Sequence, residues 1–305
     1  MTVDESRSRR PAARWGSRQP SDAPTVDVLV PTCGRVAELA VTLSGLAAQD
    51  DPPFRVVLSD QSDDGTAVRA PAVLAMVRVL RAQGRGVVVH RHLPRRGMAE
   101  QRQFLLDVSS APRVLYLDDD VWLEPGTLAR LDAALTRLGC GFVGAAVQGL
   151  SYLDDERPAE RLAFSRWGPE GVRPERVRRG TPEFARWPLH NAANLVHQSA
   201  AEHLADDDWL AYKVAWVGGC VLYRRDRLVA CGGYDFWPDL PPAHAGEDVA
   251  AQWRVMERYG GAGILPSGAV HLEAPTTVTD RRVEAADVVF GPVEPVREPV
   301  RGRHR

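Results

Sequence analysis

Three consecutive carboxylates, Asp118, Asp119 and Asp120, follow the apolar run Val114-Leu115-Tyr116-Leu117. Side by side they repel one another, and a bound divalent cation would relieve that repulsion. Taken alone, the segment also suits a surface turn with solvated acids. A second acidic pair, Glu247 and Asp248, follows Gly246 and opens a stretch in which Val249, Trp253 and Met256 share one helical face. The macrodipole stabilises each such first-turn carboxylate by about 0.3–1 kcal/mol, so helix capping is one role for the pair. General-base catalysis beside a reacting hydroxyl is the other. His271 lies beyond a candidate strand, Gly263 to Leu265, and is either a satisfied structural imidazole or a metal ligand. Paired glycines in Trp216-Val217-Gly218-Gly219-Cys220 and Cys231-Gly232-Gly233-Tyr234-Asp235 permit close backbone approach or a tight turn.

These residues need a scaffold, and the pattern between them supplies one. Val26 to Val30 is a short apolar strand ending at Pro31, and Val36, Leu39, Ala40, Leu43, Leu46 and Ala47 then recur at helical spacing. Phe54 to Leu58 is a second strand, Thr66 to Gln83 a helix, and Gly86 to Val89 a third strand. A helix from Gly97 to Val108 and a strand from Arg113 to Leu117 complete the series. Strands separated by helices of this length imply right-handed crossovers, so the first half is predicted to be doubly wound α/β with a mostly parallel sheet. Ligands of such sheets bind beyond the carboxyl ends of the strands. There lie Pro31 to Arg35, Asp60 to Gly65, His90 to Gly97 and the three aspartates, a mixture of acids and bases that suits a phosphate-bearing ligand and a metal. No G-x-G-x-x-G follows the first strand and no P-loop lysine pattern occurs, which removes the usual dinucleotide and NTPase readings.

Composition sets the outer bounds. With 305 residues, 44% apolar and 26% charged, the chain can bury a substantial core without staples. Basic and acidic residues number 38 and 40, a formal charge of -2, which gives no global basic field for nucleic acid. Lys213 is the only lysine, and that bias carries no chemistry. No apolar run approaches the roughly 18 residues needed to span a bilayer and no secretory signal is visible, so a cytoplasmic protein with no transmembrane segment is expected. Cys33, Cys140, Cys220 and Cys231 are scattered without a C-x-x-C pair and are expected to be reduced thiols. Residues 1–24 and 291–305 are rich in Arg, Pro and small or polar residues and read as disordered tails flanking one domain over 25–290, without internal repeats.

Four segments in order resemble the inverting nucleotide-sugar glycosyltransferases of the large family two, which have the GT-A fold. They are Val-Pro-Thr-Cys-Gly-Arg (Val30 to Arg35), Leu-Ser-Asp-Gln-Ser-Asp-Asp-Gly (Leu58 to Gly65), Leu-Asp-Asp-Asp-Val (Leu117 to Val121) and Gly-Glu-Asp (Gly246 to Asp248), and the resemblance runs from Val26 to Pro275. It implies a nucleotide-binding half over 25–125 and an acceptor-side half over 126–290. It puts Pro31, Thr32, Arg35, Asp60 and Asp63 at the base and ribose of a UDP-, GDP- or dTDP-sugar. The D-x-D pattern falls on Asp118 and Asp120, which would share Mn²⁺ or Mg²⁺ with the diphosphate, Asp120 binding it at the diphosphate and Asp118 lying nearer the ribose, with Asp119 between them at the donor. His271 is implied as a further ligand of that metal, and Gly97, Arg102, Gly218 and Gly219 as donor contacts. Asp248 matches the family's general base, with Glu247 orienting the acceptor. Gly34 stands where relatives often carry Asn.

The implied reaction moves one sugar to a hydroxyl of a small-molecule, lipid-linked or peptide acceptor, since membrane helices and a Gln-x-x-Arg-Trp motif, the marks of processive members, are both missing. Residues 151–210 are implied to be acceptor-side structure. Two alternatives compete. A sugar-phosphate nucleotidyltransferase would begin with a glycine-rich, Arg- and Lys-containing loop, which Pro31 to Arg35 is not. A nucleotide-binding protein without transfer activity would have no need of both Asp120 and Asp248.

Overall fold

The computed structural model describes residues 23–205, 208–278 and 280–291. Strand β1 (Val26–Thr32) is buried along its whole length, as a nearly continuous apolar strand covered on both faces must be. Helix α1 (Ala37–Ala47) returns the chain to β2 (Phe54–Asp60) and buries Leu39, Leu43 and Leu46. The helix expected over Thr66 to Gln83 is two helices, α2 (Thr66–Arg69) and α3 (Pro71–Ala82). Ala70 between them is extended, with ψ of 139°. The Pro71 ring disfavours helical geometry in the residue before it and then suits the first position of the next helix.

Next come β3 (Gly86–Arg91), α4 (Met98–Val108), β4 (Arg113–Leu117), β5 (Val121–Leu123), α5 (Thr127–Leu138) and β6 (Phe142–Gly144). Short 3₁₀ turns fill much of 150–190 before α6 (Ala192–Ala201) and β7 (Leu210–Tyr212). The chain then forms β8 (Cys220–Arg224), α7 (Arg225–Ala230), α8 (Glu247–Tyr259), β9 (Gly261–Leu265), β10 (Ala269–His271) and α9 (Ala285–Phe290).

Eight strands form one sheet in the order β3-β2-β1-β4-β8-β6-β9-β7. The first four are parallel, as the strand-helix alternation predicts. The other half is mixed: β8 runs antiparallel between β4 and β6, β6 and β9 are parallel, and β7 is an antiparallel edge. Alternate residues of β1 feed two cores. Val26, Val28 and Val30 pack with Leu39, Leu43 and Leu46 of α1, and Leu29 packs in the opposite core with Leu105 of α4 and Trp253 of α8.

Two features position the site. Between β1 and β4 the strand order reverses, and that switch point opens a crevice at the carboxyl ends of both strands. Beside it, β5 and β10 pair antiparallel as a separate ribbon that puts His271 opposite Val121. The Leu272 amide donates to the Asp120 carbonyl at 2.8 Å, so the ribbon ties His271 to the aspartate run. All four cysteines are free thiols. Among the described residues no helix is long and apolar enough to cross a membrane. Apart from residues 23, 24 and 291, the tails expected over 1–24 and 291–305 lie outside the described residues.

Candidate active site

The three aspartates after β4 do not share one partner. Asp119 points back under β1, where it accepts hydrogen bonds from Thr32 Oγ1 at 2.7 Å and Arg35 Nη1 at 2.9 Å. Burial pushes its carboxyl up to about 6 although Thr32 and Arg35 pull the other way. Asp120 accepts from the same Arg35 Nη1 at 2.5 Å and lies 3.4 Å from His271 Nε2. Burial again opposes ionisation, but the His271 and Arg35 contacts win and hold Asp120 below the usual carboxylate range. Asp118 turns away from both and accepts from Arg102 Nη2 at 3.0 Å. Asp118 and Asp120, expected around one cation, therefore have separate partners in the protein.

Among the described residues no cluster of three or more His, Cys, Asp or Glu side chains could hold a metal on its own. Asp120 and His271 nevertheless form a hard oxygen donor beside an imidazole. Two such protein ligands leave most coordination positions to phosphate oxygens and water, which is how Mg²⁺ and Mn²⁺ are commonly held against a nucleotide. The donor set fits a cation that arrives with its substrate.

The second acidic pair sits at the start of α8. Gly246 precedes the helix with φ of 72°, and a Cβ there would lie 2.6 Å from Glu284 Oε2. Glu247 is buried and accepts from Arg102 Nε at 3.0 Å. Arg102, on the inner face of α4, thus clamps Asp118 with one nitrogen and Glu247 with another. It also lies over the Tyr116 ring, 5.5 Å from the centroid. Asp248 has, among the described residues, a local bond, its Oδ1 accepting from the Val249 amide at 2.8 Å. Burial, followed by the neighbouring Glu247 carboxylate, pushes Asp248 up to about 7, with Arg102 opposing and Asp118 reinforcing the shift. A carboxylate poised there is a far better proton acceptor at neutral pH than an ordinary aspartate.

Both ends open into one cleft of about 440 Å³. Of the residues singled out from sequence, Pro31, Arg35, Arg102, Asp118, Asp119, Asp120, Gly218, Gly219, Glu247, Asp248 and His271 line it. Thr32, Asp60, Asp63 and Gly97 do not. Thr32 stands behind Asp119. Asp60 is fully buried at the end of β2, where Oδ1 accepts from the Ser62 amide at 2.8 Å and hydroxyl at 2.5 Å, while Oδ2 faces Arg91 Nη1 at 3.7 Å. Asp63 is exposed and pairs with Arg95. Gly97 is covered by His244. With φ of 109°, its hypothetical Cβ would lie 2.5 Å from His244 Cε1, and His244 Nε2 accepts the Ala99 amide at 3.1 Å to cap α4.

Other cleft residues are not singled out as site residues from sequence, although Trp187 falls in 151–210, the stretch implied to be acceptor-side structure. Met98, Trp187 and the segment carrying Ala274, Thr276, Thr277, Val278, Arg281 and Glu284 all reach it. Met98 is flagged only by its neighbour Gly97, whereas Trp187 and the 274–284 segment lie in stretches without periodicity. Arg35 Nη2 donates to the Pro275 carbonyl at 2.7 Å, and so anchors that segment over the aspartates.

With this geometry in hand, comparison with known proteins places the chain. The sequence profile described as "Glycosyl transferase family 2" matches residues 27–201, which include β1 and the aspartate run but stop short of α8 and His271. No curated protein matches. Among solved structures, the mannosyltransferase PcManGT from Pyrobaculum calidifontis in complex with GDP-Man and Mn²⁺ is similar at 20% identity. That match covers 88% of this chain and 64% of the other, with a TM-score of 0.53. S. aureus TarS 1-349 in complex with UDP-GlcNAc is 17% identical over 83% of this chain and 60% of that one, with a TM-score of 0.49. The chain thus spans less than two thirds of either, and at such identities the PcManGT likeness shows a shared fold. With the profile matching more than half of its 305 residues, the chain belongs to glycosyl transferase family 2.

Proposed function

We propose that the protein transfers a single sugar from a nucleotide-diphosphate sugar to an acceptor hydroxyl, with inversion at the anomeric carbon. The observation that carries this reading is that Asp248, raised to about 7, faces the same cleft as the Asp120–His271 pair. A base for the acceptor and a seat for the donor's cation thus share one space. PcManGT, similar in fold, is described in complex with GDP-Man and Mn²⁺, which supports a nucleotide-sugar donor.

In this reading Pro31 and Arg35 form the nucleoside end, with Thr32 and Asp60 bracing it from behind and Asp63 exposed outside the cleft. Asp120 and His271 would hold Mn²⁺ or Mg²⁺, which when bound stabilises charge growing on the leaving diphosphate. Asp248 accepts the acceptor's proton as that oxygen bonds to the anomeric carbon and the bond from that carbon to the diphosphate breaks. Attack from the face opposite the leaving group inverts the centre without a covalent enzyme intermediate. Glu247, clamped by Arg102, fixes the first turn of α8 beside the acceptor. Gly218 and Gly219 line the cleft on the donor sugar's side.

Asp248→Asn tests the reading on one variant. Donor affinity by calorimetry is expected to stay within a few-fold of wild type while turnover falls by roughly 10²–10⁴. Near-normal turnover would remove Asp248 as the base.

A further inference from the structure

We infer that the acceptor is a neutral ring with an apolar face, a sugar or an aromatic alcohol, seated against Trp187 and Trp216 beside Asp248. The inference rests on the transfer reading above and deepens it by naming the acceptor's class. Trp187 and Trp216 both line the cleft, with ring centroids 5.3 Å apart and planes inclined by 34°. They are braced from either side. Phe184 stacks on Trp187 at 5.0 Å, and His190 packs against Trp216 at 5.1 Å. Burial holds the His190 imidazole down at about 3, so the tier carries no cation at neutral pH.

The tier is fixed at the base's end of the cleft. Gln252 holds the Val217 backbone in both directions, accepting its amide at 2.7 Å and donating to its carbonyl at 2.6 Å. Trp253 Nε1 donates to the Ala215 carbonyl at 2.9 Å. Gln252 lies one helical turn beyond Asp248 on the same face of α8, so Trp216 is pinned over the helix that carries the base. Gly218 leaves room for the indole: a Cβ there would lie 2.8 Å from Trp216 Cζ3. Met98, Val147 and Val249 add apolar surface to the same cleft. The indole surface left open to the cleft suits the C–H edges of a sugar or another ring.

Charge argues against a phosphorylated acceptor. Asp118, Glu247, Asp248 and Glu284 all line the cleft. Arg102 is already committed to Asp118 and Glu247, and Arg35 to Asp119 and Asp120. Arg281 is the cleft arginine with no acidic partner among the described residues, and the donor's own diphosphate competes for it. An acceptor phosphate near Asp248 would face carboxylates whose countercharges are taken.

The test uses saturation-transfer NMR and titration on the full chain held with nucleoside diphosphate and diamagnetic Mg²⁺. The probes are methyl glycosides of glucose, galactose and mannose, 4-methylphenol, and the 6-phosphates of the same glycosides. At least one neutral probe is expected to bind through its ring protons, weakened about tenfold in Trp187→Ala and recovered in Trp187→Phe. The glycoside and phenol arms separate the two sources of a neutral ring. Tighter binding of a 6-phosphate, unchanged affinity in Trp187→Ala, or no neutral probe bound by protein that still binds nucleotide would each overturn the inference. Because the readout is binding and no donor sugar is present, the outcome is independent of the transfer reading, which stands or falls on the turnover of Asp248→Asn.

Discussion

At the scale of single residues, the cleft assigns different work to carboxylates that are chemically alike. Asp120 is held ionised by His271 and Arg35, whereas Asp248 is pushed toward neutrality by burial and by Glu247. Separating the pKa values of neighbouring acids is how one site supplies both a fixed anion and a proton acceptor. Asp248 therefore carries a pH signature in both activity and stability. Transfer should rise with pH through about 7 as Asp248 loses its proton, and a rate flat from pH 5 to 8 would refute that role. For stability, the folded pKa lies above the unfolded one. Burying Asp248 therefore costs nothing below the unfolded value, and its stability contribution is lost as pH rises through about 7. Asp248→Asn should accordingly melt higher than wild type at pH 8 and no higher at pH 4. A carboxylate that merely capped α8 would behave oppositely, and its neutralisation would cost about 0.5–2 kcal/mol at pH 8.

At the scale of elements, the site depends on how α4 and α8 begin. The chain enters α4 through Gly97 at a positive φ with His244 directly over it, which leaves no space for a side chain. Gly97→Ala therefore meets both backbone strain and a clash, and should lower stability by about 1–3 kcal/mol in chemical denaturation. Adding His244→Ala, which removes the obstructing ring, should cost less than the sum of the two single changes. Strict additivity would show that His244 does not cover Gly97. The sequence marks Gly97 as special, and the structure gives the reason: His244 docks there and caps the helix. The periodic elements β1 to β4 are similarly legible because a hydrophobic period is a local property. The break at Ala70 is legible too, in the proline that follows it, once that proline outweighs the apolar periodicity on either side.

At the scale of the whole molecule, the cleft is an assembly product, drawing on the ends of β1 and β4, on α4 and α8, on the β5–β10 ribbon and on the 274–284 segment. A ligand gripping all of these binds only the folded chain, so a nucleoside diphosphate at 100 times its Kd should stabilise the protein by about 2.7 kcal/mol. Replacing EDTA with Mn²⁺ should tighten that binding and raise the melting temperature further, and Asp120→Asn should erase the Mn²⁺ increment while leaving the rest. An equal shift in metal and chelator would take the cation out of the reading. The sequence by itself determined the alternating first half, the aspartate run at a strand end and the acidic start of α8, because each is written in contiguous residues. Tertiary structure alone decided the partners of Asp118 and Asp119. The resemblance already pairs Asp120 with His271, but that Asp119 turns to Thr32 and Asp118 to Arg102 follows only from the way those segments pack. The same holds for Trp187 and the 274–284 segment. Neither has a period to read, and both reach the cleft because packing carries them there.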